Sequence, residues 1–122
     1  RREASERLPE LQRIVADREI DGPMMLWTEL RTEFDRLCGA PEQNLDLLTR
    51  MWRYCVWCLK HPSGDVQTAA ALGFCEHLLD SDAGSRVLPK LMSRSEFGGF
   101  REILSYHNDP AVIDHWEAKL WA

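Results

Sequence analysis

No stretch of this sequence is apolar enough for a membrane. The longest unbroken apolar run is Tyr54 to Leu59, six residues, against roughly 20 for a spanning helix. The opening Arg-Arg-Glu-Ala-Ser-Glu has no apolar signal region. An initiator Met is also missing, which predicts that the chain was cut from a longer one, with room for an export signal in the lost piece. Strand-type alternation never exceeds four residues. Basic charge is scarce: 15 Lys and Arg face 20 Asp and Glu, a net of -5. That argues against non-specific nucleic-acid binding and against an anionic membrane surface. Catalytic signatures are absent too. There is no Gly-x-Ser-x-Gly elbow, no phosphate-binding glycine loop, no dinucleotide fingerprint, no His-Glu-x-x-His and no Glu-x-x-His. Gly98-Gly99 stands alone. No cofactor and no catalytic residue are expected.

What is present is one domain's worth of chain. The 122 residues are 44% hydrophobic, and a domain of this size buries about two thirds of its unfolded surface. It needs neither disulfide nor metal to fold. Pro and Gly divide it into helix-length blocks. A first helix is expected over Leu8 to Arg18, with Leu8, Leu11, Ile14 and Val15 on its buried face. Asp21-Gly22-Pro23 starts a second, whose stripe is Trp27, Leu30, Phe34 and Leu37, and Gly39 stops it. Pro41 opens a third, to about His61, with Leu45, Leu48, Trp52, Cys55 and Leu59 on one face. Met51, Tyr54 and Val56 widen that stripe, marking the central helix.

A fourth helix is expected over Asp65 to Leu79, with Ala69, Ala70 and Gly73 allowing close approach and Ser63 or Asp65 as cap. A short one follows around Ser85 to Met92, placed by Pro89. A sixth starts at a Ser95 cap and reaches about Tyr106. Asn108-Asp109-Pro110 starts the last, with Val112, Ile113, Trp116 and Leu120 facing inward. Residues 1–7 are a candidate disordered lead-in. The expectation is an all-α, single-domain bundle over residues 1–122, of six or seven antiparallel helices, HEAT-like or orthogonal.

The run from Cys58 to Gly73, Cys-Leu-Lys-His-Pro-Ser-Gly-Asp-Val-Gln-Thr-Ala-Ala-Ala-Leu-Gly, resembles the junction of a HEAT-type helical repeat. The likeness extends over Cys58 to Leu79 and occurs once. It implies a helix, a Pro/Asp turn and a second helix with an Ala-rich face. In size, acidity and helical pattern the chain is also similar to small all-helical bacterial immunity-like domains. That likeness implies a partner protein, and helical-repeat families share no one activity.

Cys38, Cys55, Cys58 and Cys75 lie inside apolar runs. Structural zinc sites pair two short knuckles in loops, and here one Cys-x-x-Cys sits within a helix. Buried, reduced, metal-free thiols and a cytoplasmic protein are therefore expected. The four histidines form no recognisable ligand set. His61 suits a helix C-terminus, His77 an apolar face, His107 a turn, and His115 solvent.

Charge and tryptophan carry what functional signal there is. Residues 19–49 hold seven acids and two bases, and residues 62–84 hold four acids and no base. An acidic face steers a basic partner. The candidate contacts are Asp21, Glu29, Glu33 and Asp35 on helix two, with Glu42 and Asp46 after the turn. Glu29 and Glu33 as an acid/base pair have no neighbour that would shift a pKa, so they read as a solvated face. Trp57, one of five tryptophans, falls opposite Leu48 beside Arg50 and Arg53, which reads equally as the composition of an interface hot spot or as a side that another helix covers. The expectation is a non-catalytic interaction domain, of the immunity type in its sharpest form, binding a basic toxin or enzyme. The alternative is a small enzyme or ligand-binding domain with an inter-helical pocket. Neither nucleic acid nor membrane is expected as a partner, and the sequence does not set the oligomeric state.

Overall fold

Local signals start most of the helices. Gly22 has φ +79°, a conformation that strains any residue with a Cβ. It opens α3, Gly22–Leu37, with Pro23 in its first turn. Pro41 opens α4, Pro41–Leu59. The corner between them is stitched by Asn44, whose side-chain amide donates to the carbonyls of Leu37 and Ala40 at 3.2 and 3.0 Å. In the computed structural model, which describes residues 2–17 and 19–122, these two helices are the longest.

The other helices are α1 (Arg2–Arg7), α2 (Gln12–Val15), α5 (Gly64–Gly73), α6 (Asp82–Leu91), α7 (Arg94–Gly99), α8 (Arg101–Leu104) and α9 (Pro110–Leu120). Single 3-10 turns precede α2 at Pro9–Leu11 and follow α5 at Cys75–His77. No strand occurs among the described residues, and no helix there is long and apolar enough to cross a membrane. The protein is an all-α bundle.

α4 lies at its centre, touching α1, α3, α5 and α6. Its inward residues Leu48, Met51, Trp52, Tyr54, Cys55 and Cys58 are all buried. α5 packs most closely on α3. A Cβ on Gly73 would stand 3.0 Å from the Trp27 Cβ, so any larger residue would push the two helices apart by a few tenths of an ångström. The aromatic side chains fill the space that results. Trp27 stacks on Tyr54 at 5.2 Å and leans on Phe74 at 4.9 Å, and Phe74 meets Phe34 edge-on at 4.9 Å. Offset and edge-on pairs of this kind add to the area term.

All seven expected blocks are helical, but three are broken. The block at Leu8 begins as a 3-10 turn and its α-helix ends at Val15. Its expected end at Arg18 lies outside the described residues. The block at Asp65 stops at Gly73, because Phe74 leaves helical geometry (φ -138°, ψ -63°). That kink lets Phe74, Cys75, Leu78 and Leu79 all reach the core. The sixth block is capped by Ser93 rather than Ser95, its hydroxyl accepting from the Glu96 N–H at 3.1 Å, and breaks at Phe100.

The fifth starts earlier than expected, at Asp82. Ser81 Oγ caps it, accepting from the Gly84 N–H at 2.9 Å. Pro89 then falls in its last turn and removes only one hydrogen bond. Val112 is 40% exposed, not buried, and Ile113 is the buried residue of α9. Over residues 2–7, where a disordered lead-in is expected, the chain forms α1. Ala4 is fully buried there, and Arg7 pairs with Glu3 one turn earlier at 2.6 Å.

Candidate functional site

The acids proposed for partner steering do not form one face. Along α3, each step of four residues turns 40° further round the helix. Asp21, Met25 and Glu29 therefore share an exposed strip, and the next residue of the series, Glu33, is carried inward. Glu33 is only 6% exposed. Its carboxylate meets Arg13 at 2.6 Å and also Arg36. The Arg36 hydrogen bond is the main reason its pKa lies below the ordinary carboxylate value, with Arg13 adding to it. Glu33 is thus an internal tie and not a docking acid. Asp35 is half-buried, and burial raises its pKa, with the nearby Asp80 adding.

The basic side of α4 is likewise occupied. Arg50 donates to Asp46, to Glu10 and to the Arg7 carbonyl. That hydrogen bonding holds Glu10 down to about 2. Arg53 reaches Glu96 at 3.2 Å. Trp57 is half-covered: it stacks on Tyr54 at 6.0 Å, touches His61 at 5.1 Å and has the Arg7 guanidinium 5.9 Å over its ring. Of the two readings of Trp57, an exposed hot spot or a side packed under another helix, the fold gives something between: α1 lies across this side of α4 and leaves the ring half-exposed.

Of the expected contact acids, Asp21, Glu29 and Glu42 are exposed and have no side-chain partner among the described residues. Two adjacent methionines accompany them. Met24 and Met25 are 42% and 46% exposed. The Asp21 N–H donates to Met25 Sδ at 3.1 Å. Met24 shares a hollow of about 320 Å³ with Asp21, Pro23, Asp65 and Thr68, so the starts of α3 and α5 form one acidic, methionine-bearing surface. Asp65 was not among the residues singled out from sequence for contact, since nothing local shows that α5 begins beside α3.

Two larger concavities lie nearby. One, of about 390 Å³, is lined by Leu26, Trp27, Tyr54, Trp57, His61 and Val66, with Arg2 and Glu3 from α1 at its edge. The other is a more open groove of about 530 Å³ between α4, α5 and the α7–α8 segment, bordered by Leu72 and Tyr106.

The four cysteines are free of disulfides. All four are buried. Burial pushes the Cys38 thiol up to about 12, with Asp35 adding, and raises Cys55 as well. Thiols held protonated in this way are poor nucleophiles.

Two of the four histidines come together in the fold, which nothing in their spacing indicates. His77 and His107, thirty residues apart, have ring centroids 4.4 Å apart. Asp80 bridges them, with Oδ2 at 2.7 Å from His77 Nδ1 and Oδ1 at 3.1 Å from His107 Nε2. Glu76 Oε1 stands 3.3 Å from His77 Nε2. The kink at Phe74 and the turn after α8 bring these groups together. Glu76, His77 and Asp80 are close in sequence and would have been a usable signal. His107 arrives only through the fold. Comparison with models of known protein families, with curated proteins and with solved structures finds no match to this chain.

Proposed function

We propose that this protein is a non-catalytic interaction domain that docks a basic partner on the surface formed by the starts of α3 and α5. The observation that carries this reading is the exposed Met24–Met25 pair set among Asp21, Glu29 and Asp65. These acids have no side-chain partners among the described residues. Methionine is a soft side chain suited to adaptable binding surfaces, and unpaired acids around it would attract and orient a cationic protein. In its sharpest form the partner is a basic toxin or enzyme that the domain blocks, as an immunity protein would. The HEAT-type likeness of Cys58 to Leu79 fits the same reading, since repeats of that type serve as scaffolds for protein contacts.

The test is capture from the source cells followed by kinetics with the captured partner. Association should slow as salt rises, and Asp21→Lys with Asp65→Lys should associate more slowly at low salt with little change in dissociation. Equal association rates for the two proteins overturn the reading.

The 390 Å³ concavity favours a second reading, ligand binding. It is of the size small-molecule sites have, roughly 300–1,000 Å³, and is mostly apolar. A ligand there would alter the fluorescence of Trp57, and screening for that change separates the two readings.

A further inference from the structure

The polar corner between the Cys75–His77 turn and the turn after α8 gathers two imidazoles and two carboxylates. We propose that Glu76, His77 and His107 form a binding site for a divalent transition metal of the zinc type, with Asp80 positioning His77 from outside the coordination sphere. Their donor atoms all lie within 4.8 Å of one another. Ligands 2.0–2.1 Å from a tetrahedral zinc stand about 3.4 Å apart. The Glu76 Oε1 to His77 Nε2 separation is already 3.3 Å. His107 is the most exposed member, its side chain 43% accessible, and on binding a metal its Nε2 would leave Asp80 Oδ1, which it meets at 3.1 Å.

Three further features fit a metal site. First, His77 offers Nε2 toward Glu76 while its Nδ1 faces Asp80 at 2.7 Å. A carboxylate on the far nitrogen is how metal-binding histidines are usually oriented and made more basic. Second, the two turns are tied together without any ion. Asn108, next to His107, donates its side-chain amide to the Glu76 carbonyl at 3.1 Å and to the Leu104 carbonyl at 2.9 Å. The site is therefore held ready by the fold. Third, no guanidinium or ammonium group pairs with the cluster among the described residues. Among the described residues the only ion-pair partners of Glu76 and Asp80 are the two imidazoles, and residues 62–84 contain no Lys or Arg.

Two imidazoles and one carboxylate suit zinc and its first-row neighbours better than calcium or magnesium, which take oxygen ligands. Three protein ligands leave a fourth position open to water or to a ligand atom from outside.

The experiment uses the untagged full chain, stripped with chelator and dialysed against zinc under reducing conditions, with bound metal counted by elemental analysis. One zinc per chain is expected. His107→Ala should weaken binding at least roughly tenfold, and Asp80→Asn by about 10–100-fold. Circular dichroism confirms that each variant is helical. His107 faces solvent, so its variant decides the matter should His77→Ala fail to fold. Cobalt substituted for zinc gives a second readout. Visible bands without a thiolate charge-transfer band support the site. A thiolate band, no retained zinc in the wild type, or wild-type affinity in folded His107→Ala overturns it.

Discussion

Arg50 and Asp80 each hold together segments far apart in the chain, and the clusters around them close differently. Arg50 reaches the Arg7 carbonyl and Glu10, some 40 residues away, and Asp46 on its own helix. Every acid there meets a guanidinium, which is charged at any ordinary pH. Asp80 instead reaches His77 and His107, with Glu76 beside them, and an imidazole is a cation only when protonated. The first cluster is complete as it stands. The second has acceptors in excess of permanent charge, which is the condition under which an added cation finds a place. A long-range polar tie is thus structural when its charges are matched and points to a ligand when they are not.

That contrast can be broken most decisively by zinc. At a hundred times its dissociation constant the metal should stabilise the wild type by about 2.7 kcal/mol, read as a higher urea midpoint. Arg50→Ala should respond to zinc as the wild type does, and His107→Ala should not. A zinc-induced shift in both variants, or in neither, would erase the distinction.

A smaller effect is expected at the closed cluster. Arg50→Ala should cost about 1 kcal/mol, since its ion pairs are partly solvated. Glu10 is held down to about 2 from 4.5. Its folded pKa lies below the unfolded one, so the pair stabilises above about pH 4.5 and that contribution fades as pH falls toward 2. Urea midpoints measured across this window should fall more steeply for the wild type than for Arg50→Ala.

The smallest change should come from the acids that belong to neither cluster. Glu29→Gln, exposed in the middle of α3, should move stability by no more than about 0.5 kcal/mol. A larger loss would mean that this side chain has a structural partner and is not free for docking.

Much of the fold is legible in the sequence because helix signals are local. Pro23, Pro41 and Pro110 each stand at a helix start. The stripe Trp27, Leu30, Phe34 and Leu37 is buried throughout, since a 3.6-residue period is written into neighbouring residues. The breaks were not legible. Nothing near Phe74 shows that its ring belongs between Trp27 and Phe34, and that destination is what ends α5. Glu33 stands only about 40° nearer the apolar stripe than Glu29, too little by itself to mark it as buried. Its burial depends on Arg13, twenty residues earlier, and on the rotation of α3 against α2.

The sequence by itself determined an all-helical chain, the approximate position of its helical blocks and most residues of its core, because apolar periodicity and Pro/Gly punctuation act within a few residues. Only the tertiary structure decided which charges stay free and which groups meet. It turned Glu33 inward, half-covered Trp57 with α1, set Met24 and Asp21 beside Asp65, and brought His107 to Glu76 and His77. Each of these outcomes depends on contacts between segments 20 to 50 residues apart, and the energy that selects them lies in packing the shared core, not in either segment alone.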